Sequence, residues 1–263
     1  MAELKKEETD SNTKQTNKSM EQRKYPQRIQ EVFNYLDANP MSIVGQKMYY
    51  KPAQQLSNTK RDLVHLYEKL ETLDFDTSNT SSQHHAQVTR ALLYLSLNGI
   101  DECHNLVTPY SWPSYTSFGG APVFNSAASQ NACYAHAFTH RREGQNVGEF
   151  GTGWNNSNYW FGQTGRHQVV FPLIAKYAYD IVYDQEKKES TYQAHKQITK
   201  FLQSILKMDH QNKQQFQLQW DAYKFNNLCE LAVKQRDKTL MAFCEDVWNQ
   251  EWRLLTQHCY TFI

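Results

Sequence analysis

A chain of 263 residues with 40% hydrophobic residues is long enough to bury a sizeable core as one large domain or two small ones. Its 28 basic and 27 acidic residues leave a net charge of +1, which excludes the electrostatic footprint of a nucleic-acid binder or a polybasic membrane anchor. A small-molecule ligand or substrate is the partner this balance predicts, with no nucleic acid and no membrane.

Residues 1–25 are charged and polar with almost no large apolar side chain, a composition that cannot offset the entropy of ordering, so a disordered tail is expected there. The tail lacks the apolar core of a secretory signal, and no later stretch approaches the roughly 20 apolar residues of a membrane helix. A cytoplasmic protein is expected. The five cysteines, odd in number and without a C-x-x-C pair, fit reduced thiols better than a disulfide frame.

Residues 26–263 read as a single helical domain. Ile29, Val32, Phe33 and Leu36 recur at helical spacing from Gln27 onward. A second helix follows Asn58 as its cap and carries Leu63, Leu66, Tyr67 and Leu70. The segment SNTSSQ, 78–83, predicts a loop, after which Val88, Leu92 and Leu95 mark a third helix stopped at Asn98-Gly99. A short helical piece, DECHNLV, comes next.

The chain then changes character: nine of its ten glycines, three of its seven prolines and three of its six tryptophans lie between Gly99 and Gly165. Irregular, aromatic-rich loops on either side of one helix predict a pocket over about 99–168. Helical spacing resumes after Pro172, again from about Thr191 to Met208, then from Asp221, and from about Lys238 to the end. No alternating strand pattern of useful length and no repeat are found, so the expected fold is all-α with an irregular insert.

The helix inside that insert carries HAFTHRREG. At about 100° per residue, Cys133, His136, His140 and Glu143 fall within a stripe of about 80°, with Tyr134 and Phe138 opposite. The aromatic side is expected to anchor the helix while the histidines face solvent, a cavity or polar partners. An H-x3-H pair brings two imidazoles to adjacent turns, where they can chelate one divalent ion such as Zn, Fe, Mn or Ni. His104 and His167, at the edges of the same region, are the candidates to complete the set, with Glu143 or Asp101 as carboxylate. The helical zinc-protease motif does not fit, because Ala137 stands where it needs glutamate. Glu143 is the candidate base, His140 the candidate acid or base, and Arg142 the candidate holder of an anionic group. Asn158, Tyr159 and Trp160, close to His167 in sequence, are candidate ligand contacts. GEFGTG lacks the Lys-Ser/Thr of a phosphate loop.

The chain resembles an uncharacterised all-helical family of bacteria and fungi marked by D-x-x-H, H-x-x-x-H-R-R-E-x-D, N-x-x-Y-W…G-x-H-P and a C-terminal E-W-x-L-L…C-Y. The matching residues are Asp101 and His104; His136, His140, Arg141, Arg142 and Glu143; Asn156 or Asn158 with Tyr159, Trp160, Gly165 and His167; and Glu251, Trp252, Leu254, Leu255, Cys259 and Tyr260. Gln145 and Gln168 stand where the pattern has aspartate and proline. The resemblance spans roughly residues 90–263; it implies a shared site around the four histidines and Glu143 and supplies no reaction.

Three functions follow. One is a small-molecule enzyme with a metal at His104, His136, His140 and His167. A second is a metal-free pocket for a sugar or anionic small molecule, in which Glu143 fixes the His140 tautomer and Trp112, Trp154 and Trp160 form a platform. The third is a helical interaction module with a buried His/Arg/Glu network.

Overall fold

The computed structural model of the chain describes residues 25–45, 58–112, 126–148, 151–183, 191–208 and 216–263. The fold is all-α. Its helices are α1 Gln27–Ala38, α2 Asn58–Glu71, α3 Thr80–Ser96, α4 Ile100–Ser111, α5 Ala127–Glu143, α6 Gly153–Thr164, α7 Val170–Tyr183, α8 Lys196–Ile205, α9 Ala222–Gln235 and α10 Lys238–Tyr260. Two short antiparallel hairpins interrupt them. β1 Val147–Gly148 pairs with β2 Gly151–Thr152, and β3 Leu206–Met208 pairs with β4 Phe216–Leu218, Leu206 opposite Leu218.

One hydrophobic cluster runs from Ile29 to Cys259 and takes side chains from every helix. α5 lies at its centre, packed on α4 and α6, while α3 joins α4 to α10 and α10 also packs on α7 and α9. Central placement decides what the histidine side of this helix faces: residues 131–142 are all buried, so of solvent, a cavity and polar partners the first is excluded. Ala132, Ala135 and Ala137 let neighbouring helices approach, and Tyr134 and Arg141 find polar partners inside. Arg141 donates to Glu251 Oε2 at 2.6 Å and to Asn226 Oδ1 at 3.2 Å, and Tyr134 donates to Glu251 Oε1 at 2.6 Å. The rings of Phe138, Phe161, Phe225 and Trp248 surround the Arg141 guanidinium at 4.9–5.4 Å, a cation–π cage that replaces part of its lost hydration.

Several boundaries differ from the sequence reading. α3 begins inside the expected loop because Asn79 and Ser82 form a reciprocal capping box. α4 extends well past DECHNLV to Ser111 with Pro109 inside it. α7 starts at Val170, so Pro172 sits in the first turn, where its missing N–H costs nothing. α8 covers only Lys196–Ile205, since Leu206 leaves the helix to enter a strand. The largest difference is α6, which forms where a glycine-rich loop is expected: Thr152 caps it, and Trp154, Trp160 and Phe161 bury its inner side.

All five cysteines are buried free thiols. Among the described residues no helix is long and apolar enough to cross a membrane. Tyr25 packs its ring on Phe33 and Tyr260 at 5.1 Å, so the fold includes the last residue of the expected tail; residues 1–24 lie outside the described residues.

Candidate metal centre

α4 and α5 bring three of the four predicted histidines together. His104, His136 and His140 each offer a ring nitrogen, and these atoms lie within 4.8 Å of one another. His136 and His140 are one turn apart on α5 and stack at 4.9 Å and 24°; His104 from α4 meets them edge-on at 4.7 and 5.4 Å. Nitrogens bound at about 2.0–2.1 Å to a tetrahedral zinc stand about 3.4 Å apart, so small ring movements close this set on one ion.

The neighbours fix which nitrogen of each α5 imidazole is free. Ser111 Oγ lies 3.0 Å from the Val107 carbonyl and 2.8 Å from His136 Nδ1. A hydroxyl has one hydrogen and a carbonyl only accepts, so that hydrogen goes to Val107 and His136 Nδ1–H donates to Ser111. The lone pair is then on His136 Nε2, which is buried and has no partner. His140 Nδ1 lies 2.7 Å from Glu143 Oε2, an arrangement that puts its hydrogen toward the carboxylate and its lone pair on Nε2. The Asn156 amide donates to that Nε2 at 3.0 Å, so of the two α5 imidazoles only His136 has an unpartnered Nε2, and Asn156 must turn aside for an ion to take His140. Trp160 stacks flat on His136 at 3.9 Å and 14°, and Trp112 closes on Trp160 edge-on at 5.4 Å.

Burial, reinforced by the neighbouring His140 and His104, holds the His136 imidazole well below its ordinary pKa, and burial with His140 lowers His104. Neutral imidazole is the form that binds metal. Among the described residues no aspartate, glutamate or cysteine joins the group, and a set of nitrogen donors suits Zn, Fe or Ni better than oxygen-seeking Mn.

Comparison of the chain with protein-family models, curated proteins and solved structures finds no match. The assignment of roles therefore rests on these contacts.

The remaining predicted site residues go elsewhere. His167 precedes α7: its Nδ1 accepts from the Val170 N–H at 3.0 Å and its Nε2 meets Asn131 Oδ1 at 2.9 Å, so both nitrogens are committed to tying α7 to α5. It is a capping residue and no part of the cluster. Arg142 points away from His140 and binds the Ser42 carbonyl and Asn98 Oδ1 on the far side of α5, so it cannot hold an anion at the histidines. Asn158 is bonded to Asn226 and Asn227, and Tyr159 is 51% exposed. Trp160 supports His136 rather than presenting a free face, and Trp154 is buried against the core, so the three-tryptophan platform does not form. Glu143 stays at the site as the partner of His140 Nδ1.

Two site residues escape a reading of HAFTHRREG alone. Ser111 lies seven residues after His104, two turns along the same side of α4, and that spacing is the signal for it. Asn156 becomes legible only once residues 153–164 are known to be helical, which chooses it over Asn158.

Proposed function

We propose that the chain is a small-molecule enzyme whose centre is a divalent metal ion held by His104, His136 and His140. The observation that carries this is the buried, unpartnered Nε2 of His136 in a group of three imidazoles whose ring nitrogens lie within 4.8 Å of one another, two of them anchored through Nδ1. A native interior rarely leaves such an acceptor unmatched, and a metal ion is the partner that three converging ring nitrogens select.

An ion in that position lowers the pKa of a bound water or polarises a substrate oxygen. The chain's own residues do the rest. Glu143 accepts the His140 Nδ1 proton and keeps that imidazole in the binding tautomer, Ser111 does so for His136, and Trp160 holds the His136 ring plane. Asn156, which donates to His140 Nε2 in this structure, would be released by an ion on that nitrogen to donate to a substrate oxygen.

Chelator-stripped protein titrated with zinc tests the reading. One equivalent is expected to raise the melting temperature of the wild type and to leave His136→Ala/His140→Ala unmoved, because an ion that binds only the folded state stabilises it by mass action. Reloaded wild type, and not the double variant, is expected to turn over members of an ester, amide and phosphoester panel. A wild type indifferent to Zn, Fe and Ni overturns the proposal.

A further inference from the structure

Arg142 stands out among the buried charges. It is 2% exposed, and a guanidinium stays a cation at neutral pH even when buried. Arg141, its neighbour in sequence, has Glu251; Arg142 has no carboxylate within ion-pairing distance among the described residues. Its two acceptors, the Ser42 carbonyl and Asn98 Oδ1, are neutral, and its Nε–H has none. Glu245 attracts it through space, but that carboxylate accepts from the Ile43 N–H instead. A guanidinium has five N–H donors, so Arg142 keeps capacity for a further acceptor.

The surroundings leave room for one. Arg142 lines a pocket of about 310 Å³ together with Tyr35, Asn39, Ser42, Ser96 and Asn98. That volume suits a small metabolite. A Cβ on Gly45 would stand 2.8–2.9 Å from Nε, Nη2 and Cζ alike, a position over the guanidinium plane, so glycine lets the chain cover that plane and not the N–H edge.

We propose that this pocket binds a small organic monocarboxylate, which supplies the counter-charge that Arg142 lacks among the described residues. Two oxygens in a plane match the guanidinium fork. Glu245 near Arg142 and Asp62 near Tyr35 add negative charge to the flanks, which disfavours a dianionic phosphate. None of the three histidines lines this pocket, and Arg142 lies about 200° around α5 from His140.

The test is a titration of full-length, chelator-treated protein at constant ionic strength with propanoate, its neutral isostere propanamide, and inorganic phosphate. Propanoate is expected to bind one saturable site, at least about tenfold more tightly than either of the others. Arg142→Met should abolish binding, but it also removes the clasp on Ser42 and can unfold the chain. Asn98→Asp is the second variant. Aspartate tolerates the left-handed backbone of Asn98, φ 66°, and places a permanent carboxylate on Arg142. It is expected to raise the melting temperature and weaken propanoate binding at least about tenfold. No saturable binding, equal binding of propanamide, tighter binding of phosphate, or unaltered binding in Asn98→Asp each overturns the proposal.

Discussion

His136 and His140 share a chemistry set by what touches the nitrogen that does not bind. Ser111 and Glu143 each take one ring hydrogen at 2.8 and 2.7 Å, and so turn two flexible imidazoles into acceptors of fixed direction. Partners of this kind contribute about 10–100-fold to metal affinity. Glu143→Gln and Ser111→Ala are accordingly expected to weaken zinc binding within that range in a competition titration against a chromophoric chelator, while far-ultraviolet circular dichroism stays that of the wild type. A change below about twofold in both would show that the two residues do not hold the site. Residue identity alone made His104, His136, His140 and Glu143 legible, because H-x3-H and a following carboxylate fix a helical face. It misplaced Arg142 and His167, because nearness in sequence does not give direction: Arg142 lies more than half a turn around α5 from His140, and His167 is drawn off by the N–H groups that open α7.

At the scale of elements, the junction of α5 and α6 aligns the centre. Gly153 opens α6 against the end of α5, where an added Cβ would stand 2.4 Å from the His140 carbonyl oxygen. Only glycine fits so close to backbone. Gly153→Ala is therefore expected to cost about 1–3 kcal/mol, the range for overpacking, and to weaken metal binding by shifting His140 and Asn156 together. Urea unfolding with and without zinc measures both; a variant as stable as the wild type would place the α5–α6 contact outside the account. α6 was hidden from sequence inspection for a physical reason, since Gly153, Asn155, Asn156, Ser157 and Asn158 are weak helix formers and tertiary burial of Trp154, Trp160 and Phe161 overrides their propensity. α1, α9 and α10 were legible because their apolar spacing and their burial agree.

For the whole molecule, buried neutral histidines tie stability to pH. Burial with a nearby His258 pushes His167 down to about 3, and burial with His85 pushes His258 down to about 4. In the unfolded chain both titrate near their ordinary value of about 6.5. Below that value the unfolded state binds protons that the folded state refuses, so stability is full above about pH 6.5 and falls as pH drops toward 4. Each histidine contributes a slope of at most about 1.4 kcal/mol per pH unit in that window. Urea midpoints at pH 7, 6 and 5 are expected to decline, and His167→Asn is expected to flatten the decline; a midpoint constant over this range would contradict neutral burial. The single core from Ile29 to Cys259 explains why acid strain at α7 and at the end of α10 is felt globally.

Elemental analysis of the purified full-length protein tests the metal centre most directly. The arrangement of His104, His136 and His140 predicts close to one equivalent of Zn, Fe or Ni per chain, lost in His136→Ala/His140→Ala and retained in His167→Asn. Metal-free wild-type protein whose stability does not respond to chelator or to added zinc would contradict it.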